Sequence, residues 1–219
     1  MDTTTVTTAV TQRKSIRAFL DTPIPDDTIA ELLTLAARAP SGGNVQPWRV
    51  YVIGSDTMPR FREFIDGRPF EQPEYEIYPP KLWDPYRTNR FALGEAMYEI
   101  LGIGRDDRAA RLARMGENYK FFGAPAAIFC FVDRGMGAPQ WSDLGMFLQT
   151  FMLLAVERGL GTCPQEAWSS YPKSVHEFVE APDNEMLFCG VAIGYPDEEA
   201  PVNSLVSDRM PLEQWARFV

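Results

Sequence analysis

The stretch from Gln140 to Arg158 is the longest helical pattern in the chain, and it limits the fold more than any other. Leu144, Phe147, Leu148, Phe151, Leu154 and Ala155 share one face at helical spacing. Met146, Met152 and Leu153 carry apolar surface around the remaining sides. A helix that is apolar on most sides must sit in a core or a subunit interface. Strand patterns are available to pack against it: Arg49 to Ile53, the unbroken apolar run Ala126 to Val132, Leu160 to Pro164, and Glu185 to Gly194. Shorter helices are expected at Thr3 to Gln12, around Ile29, Leu32, Leu33 and Ala36, at Thr57 to Ile65, at about Arg90 to Leu101, at Asp106 to Met115, and from Tyr171-Pro172 to Val179. Pro23-Ile24-Pro25-Asp26-Asp27 reads as a turn capping the second of these, with carboxylates at its positive end. At 219 residues this is enough chain for one sizeable core or two small ones.

Between a helix and a strand lies Pro40-Ser41-Gly42-Gly43-Asn44-Val45-Gln46-Pro47-Trp48. Pro40 is expected to stop the helix, since it lacks an N–H and crowds the preceding turn. Gly42-Gly43 permits a tight turn and close approach of another molecule to the backbone. Asn44 and Gln46 each pair an amide donor with an acceptor, which suits the edge of a planar heterocycle. An ordinary helix–loop–strand connection with an Asx turn explains the same residues. Upstream, Arg13-Lys14-Ser15-Ile16-Arg17 places two guanidiniums beside a hydroxyl in an extended segment, as a phosphate clamp would. A solvated basic stretch is the plain alternative.

From Asp66 to Arg87 prolines and aromatics crowd together, among them Tyr75, Tyr78, Pro79, Pro80, Trp83, Pro85 and Tyr86. No regular helix or central strand tolerates that density of proline. A loop of this length reads as a lid or binding loop, and its aromatic content argues against disorder. At the other end, the polar, extended tail from Tyr195 to Val219 carries Trp215 and Phe218, which need a partner surface.

Several chemistries are excluded. His176 is the single histidine and lies in a helix pattern without a catalytic neighbour, so Ser-His-Asp and Cys-His mechanisms are not expected. Cys130, Cys163 and Cys189 stand singly in apolar strand patterns and form neither a zinc motif nor a disulfide framework. No metal site is expected. The pairs Asp106-Asp107 and Glu198-Glu199 read as surface turns. P-loop and G-x-G-x-x-G patterns are absent. A net charge of −9 argues against nucleic acid or an anionic membrane as partner. No apolar run reaches the roughly 18 residues of a membrane span, and the start Met1-Asp2-Thr3-Thr4-Thr5 is not a signal peptide, so a cytoplasmic protein is expected. Demanding chemistry would then come from a borrowed cofactor.

Four segments in order resemble the FMN-dependent nitroreductase family: Arg13 to Arg17, Pro40 to Trp48, Gly159-Leu160-Gly161-Thr162-Cys163-Pro164-Gln165-Glu166, and Gly194-Tyr195-Pro196-Asp197. Arg209-Met210-Pro211-Leu212-Glu213 belongs to the same pattern. The stretch Pro79 to Arg87, with Gln140-Trp141-Ser142-Asp143, resembles the subgroup acting on nitrobenzenes and nitrobenzoates. The resemblance implies an α+β fold with a mixed, mostly antiparallel sheet flanked by helices, in an intertwined homodimer. It implies one domain over 1–219, a lid at about 66–117, and a tail at about 195–219 that wraps the partner.

The resemblance also implies two FMN molecules at the interface, with NADH or NADPH as electron donor and a small aromatic acceptor. Arg13, Ser15 and Arg209 would hold the phosphate, with Lys14 nearby and Arg17 nearer the ribityl chain or pyrimidine edge. Pro40, Ser41 and Gly42 would come from the partner copy, with Asn44 and Gln46 reaching the flavin or its support. Pro164, Gln165 and Glu166 would line the ring, and the Glu166 backbone N–H would point at N5, with no other catalytic group required. Tyr78, Trp83 or Tyr86 would stack on substrate, and Arg87 or Arg90 would meet a carboxylate. Two positions depart from the pattern: Ala167, where many relatives have glycine, and Ser207, where some have a second basic residue. The implied reaction is ping-pong reduction of a nitro group to the hydroxylamine. The same chemistry on a quinone, an activated alkene or a halogenated phenol is the alternative, and a non-catalytic flavin-binding module is the alternative of another class.

Overall fold

The computed structural model describes residues 5–219. Its helices are α1 (Val6–Gln12), α2 (Asp26–Ala36), α3 (Met58–Ile65), α4 (Tyr86–Ile100), α5 (Arg108–Gly116), α6 (Ala138–Glu157) and α7 (Pro172–Val179). Its strands are β1 (Arg49–Ile53), β2 (Ala126–Asp133), β3 (Gly161–Gln165) and β4 (Glu185–Gly194). They form one antiparallel sheet in the order β1-β2-β4-β3, so the expected α+β architecture is present. Parallel pairing is confined to an isolated bridge between Ser15 and Thr162.

Burial on both faces of the sheet explains why β2 is apolar without alternation. Ile128, Cys130 and Val132 pack with Ile29 and Leu32 of α2 and with Leu144, Phe147 and Phe151 of α6. Ala127, Phe129 and Phe131 face the other way, toward Met58 and Phe61 of α3, Trp168, and Val175 of α7. Successive side chains on a strand point to opposite faces, so two cores demand an unbroken apolar run. The α6 helix is covered by the sheet and α2 on one side, while Met146 remains 38% exposed on another. Gly159, at φ +70°, closes it as expected.

Some boundaries differ from expectation. Thr3 and Thr4, assigned to the first helix, lie outside the described residues; within them α1 begins at Val6, capped by the Thr5 hydroxyl. The α2 helix begins without a side-chain cap, although Asp26 and Asp27 do occupy its first turn. It ends at Ala36, where the Ala37 N–H bonds back to the Leu33 carbonyl, so Pro40 follows the stop and does not cause it. The α4 helix starts at Tyr86, not Arg90, which puts Tyr86 and Arg87 on a helix. Asp84 drives that start: its carboxylate accepts from Thr88 Oγ1 and Arg87 Nη2, each at 2.8 Å, and lies at the positive end of the helix. The α5 helix starts at Arg108, with Asp107 accepting from the Ala110 N–H. The tail contains two 3₁₀ turns, Pro201–Ser204 and Leu212–Gln214, and leaves Trp215 63% and Phe218 89% exposed.

Candidate functional site

The Arg13–Arg17 segment lies along the edge strand β3. Ile16 is the anchor: it is buried, and its N–H donates to the Thr162 carbonyl at 3.0 Å. Gly161 makes the approach possible, since a Cβ there would sit 2.6 Å from Ile16 Cγ1. The glycine of the sequence motif is therefore a spacer between two segments of the backbone. With Ile16 turned in, Arg13, Ser15 and Arg17 remain half-buried beside β3.

Asn203, which the sequence did not single out, holds this segment from the far end of the chain. Its Oδ1 accepts from the Arg17 N–H at 2.7 Å, and its Nδ2 donates to the carbonyls of Ala18 and Asp197, each at 2.8 Å. Lys14 donates its ammonium to the Asn203 carbonyl. Burial, then the nearby Arg209, pushes the Arg13 guanidinium below its usual range. Arg209 is exposed and folds back on Ser207, donating to its hydroxyl at 2.7 Å. Ser207 thus orients the arginine beside it.

Beyond β3, Pro164 is exposed and Gln165 buried. Gln165 Nε2 donates to the Asn118 carbonyl at 2.7 Å, while its Oε1 is buried without a donor. Partial burial pushes the Glu166 carboxyl above the usual carboxylate range. Burial likewise raises the Cys163 thiol, against the opposing pull of Arg17, Arg114 and Arg13. Three cations therefore act on this one position of β3. Arg114, at the end of α5, is the member sequence reasoning missed. Its Nη2 donates to the Arg17 carbonyl at 3.3 Å.

The Pro40–Gln46 loop is built differently. Gly43 (φ +57°), Asn44 (φ +58°) and Gln46 (φ +51°) all adopt left-handed backbone. Glycine and asparagine accept this readily; glutamine does so at a cost of roughly 1 kcal/mol. The turn is held by the Gln46 N–H on Ser41 Oγ at 3.0 Å and by the Gly42 N–H on the buried Asp143 carboxylate of α6, at 3.3 Å to one oxygen. Ser41 is half-buried, and Pro40, Gly42, Asn44 and Gln46 are exposed. No hydrogen bond among the described residues ties the loop to Arg13–Arg17 or to Pro164–Glu166.

The segment from Asp66 to Pro85 is pinned to the rest of the fold by Arg68 on Glu177, Glu74 on Arg134, Glu71 and Tyr75. Glu71 caps the start of α7, accepting from the N–H groups of Lys173 at 2.6 Å and Ser174 at 3.1 Å. Tyr75 donates to the Phe188 carbonyl and meets Trp141 edge-on with centroids 5.2 Å apart. Glu95 of α4 joins α5 through Arg111 at 2.7 Å. Beneath these helices opens a cavity of about 530 Å³, lined in part by Tyr78, Arg87, Arg90, Arg114, Asn118 and Arg17. It reaches the residues beside β3. Arg90 stacks on the Tyr78 ring at 4.5 Å, whereas Arg87 is committed to Asp84. Trp83 and Tyr86 pack edge-on against each other, 5.6 Å apart, and do not line the cavity.

His176 accepts or donates at the Glu185 carbonyl, and no metal-binding cluster occurs among the described residues. The three cysteines are buried and free. No carboxylate among the described residues comes within 4.0 Å of Arg13, Arg17, Arg90 or Arg114. Half-buried guanidiniums without counterions fit an anion such as a phosphate. The orphaned Gln165 Oε1 fits an imide N–H. FMN carries both groups, so the donor set suits it.

Sequence comparison matches residues 10–195 to the nitroreductase family. The 4-nitrobenzoate reductase of Pseudomonas putida is 36% identical over 212 residues, covering 95% of this chain and 92% of that protein. The nitrobenzene nitroreductase of Ectopseudomonas oleovorans is 33% identical over 218 residues, covering 96% and 95%. Among solved structures, the FMN- and NADPH-dependent nitroreductase NfnB of a Sphigopyxis strain superposes with a TM-score of 0.89 at 44% identity, covering 98% of this chain and 99% of the other.

Proposed function

We infer the reaction from the group to which this chain belongs, the nitroreductase family. It is an FMN-dependent oxidoreductase that passes reducing equivalents from a reduced nicotinamide to a nitroaromatic acceptor. FMN, held by Arg13, Ser15, Arg17 and Arg209, would supply the redox chemistry of two-electron transfer. The protein holds, orients and shields.

The observation that carries this reading is the set of half-buried, counterion-free guanidiniums beside the end of β3. In it, Arg13, Ser15 and Arg209 hold the phosphate, and Arg17 meets the ribityl chain or the ring edge. Lys14 acts through Asn203, whose carbonyl it engages, and so keeps the segment extended. Pro164, Gln165 and Glu166 line the ring, with the Glu166 N–H as donor toward N5. The Pro40–Gln46 loop serves the site of a second copy; its strained, exposed amides support that assignment. The exposed Trp215 and Phe218 and the uncovered side of α6 support a homodimer, with residues 195–219 wrapping the partner.

Residues 66–117 act as the lid that excludes water, within a single domain. Tyr78 and Arg90 receive the aromatic acceptor, and Arg90 meets a carboxylate when one is present. Trp83 and Tyr86 brace the lid, and Arg87 fastens its helix. Three free, buried cysteines suit a reducing compartment, and no described helix is long and apolar enough to cross a membrane.

The test is direct. Purified protein is expected to sediment as a dimer, turn yellow with FMN, and bleach with NADH or NADPH under nitrogen. Adding nitrobenzene or 4-nitrobenzoate should restore the oxidised spectrum. A colourless monomer after incubation with FMN overturns the proposal.

A further inference from the structure

Arg114 is out of keeping with its surroundings. Arg111 of α5 is pinned by Glu95, while Arg114 has no carboxylate within 4.0 Å: Glu117 acts on it only from farther off, and Arg17 is a second cation nearby. Its Nη2 leans on the Arg17 carbonyl at 3.3 Å, and its guanidinium lies 5.2 Å from the Phe122 ring centroid. Its Nε is buried with no acceptor at all. Both arginines line the cavity of about 530 Å³. Two half-buried cations on the wall of one cavity, one of them with a donor left over, favour an anion between them.

We propose that Arg114 and Arg17 together form a guanidinium pair that binds a planar oxyanion on the inner wall of the lid cavity. A guanidinium fork matches a group with two coplanar acceptors, and the Phe122 ring, also on the cavity wall, packs against Arg114. Within the flavin reading on which this rests, two sources offer that chemistry. One is the carboxylate of an aromatic acceptor; the other is the pyrimidine edge of the cofactor, where negative charge gathers on reduction. Neither source requires a change of reaction, and Arg114 is a binding residue in both.

The experiment uses FMN-loaded R114Q and R114K beside the wild type, with thermal unfolding to confirm that each is folded. For a cofactor-edge contact, R114Q shifts the flavin midpoint potential by about −30 mV, the two-electron equivalent of a tenfold weaker hold on the reduced form. For an acceptor contact, the potential stays put, and KM for 4-nitrobenzoate rises about tenfold while that for nitrobenzene does not. In either arm R114K recovers part of the loss, because the charge is kept and the fork is not. If R114Q matches wild type in both potential and KM ratio, the proposal is wrong. Should the wild type bind no FMN, the flavin reading fails separately. The pair is then judged by calorimetric titration with benzoate, where equal heats for wild type and R114Q overturn it.

Discussion

Arg13, Arg17 and Arg114 stand half-buried near β3 with no salt bridge among the described residues, whereas Arg87 and Arg105 are exposed and paired with Asp84 and Glu95. The side chain is the same, but its energetic position is opposite. In solvent a guanidinium and its carboxylate gain little from each other, because water screens the pair and the side chains lose freedom. Half out of water and unpaired, the same group destabilises the empty protein and is correspondingly ready for an anion. The cations beside β3 are therefore available to an anion, whereas Arg87 fastens the start of α4 and Arg105 the turn that follows it.

The largest effect expected from breaking this contrast is at Gly161. Gly161→Val forces Ile16 off β3 and moves the whole Arg13–Arg17 segment. Stability should fall by about 2–3 kcal/mol in urea denaturation, and FMN affinity should collapse in fluorescence titration. Wild-type FMN affinity in this variant would show that the contact does not position those cations.

Next in size is Arg13→Ala, expected to weaken FMN binding about 10- to 100-fold, the worth of a charge-assisted hydrogen bond to phosphate. Its unfolding midpoint should hold or rise, since a desolvated charge is removed. A fall in both would mean that Arg13 has a structural partner.

Glu71→Ala probes the lid alone. Losing the α7 cap should cost about 1 kcal/mol and raise KM for an aromatic acceptor a few-fold, with FMN affinity unchanged. The smallest effect belongs to Arg105→Ala. No measurable change is expected in unfolding midpoint or FMN affinity, at low or high salt, because its bond to Glu95 is exposed. A salt-sensitive loss of stability there would erase the distinction between the two sets.

Much of this was legible beforehand. The bounds of β1 and β4 follow from their apolar runs between turn residues, and the segments at 13–17 and 159–166, paired beforehand only by their resemblance to one family's motifs, do lie together. The lid was visible as a block of prolines and aromatics, though not which of its rings face the cavity. Trp83 and Tyr86 look like substrate platforms in the sequence, yet they satisfy each other. Asn203 and Arg114 carry no local signature. Their importance lies in bonds that span 186 and 97 positions of chain, and no periodicity records such bonds.

The amino-acid sequence alone determined where the helices and strands lie, to within a few residues at their ends. Local rules suffice for these, because backbone geometry, apolar periodicity and residue chemistry act within a few positions. Only the tertiary structure decided which guanidiniums lose their water and which keep a counterion. Desolvation depends on what packs against a side chain from elsewhere in the fold, and that is a property of the whole folded chain.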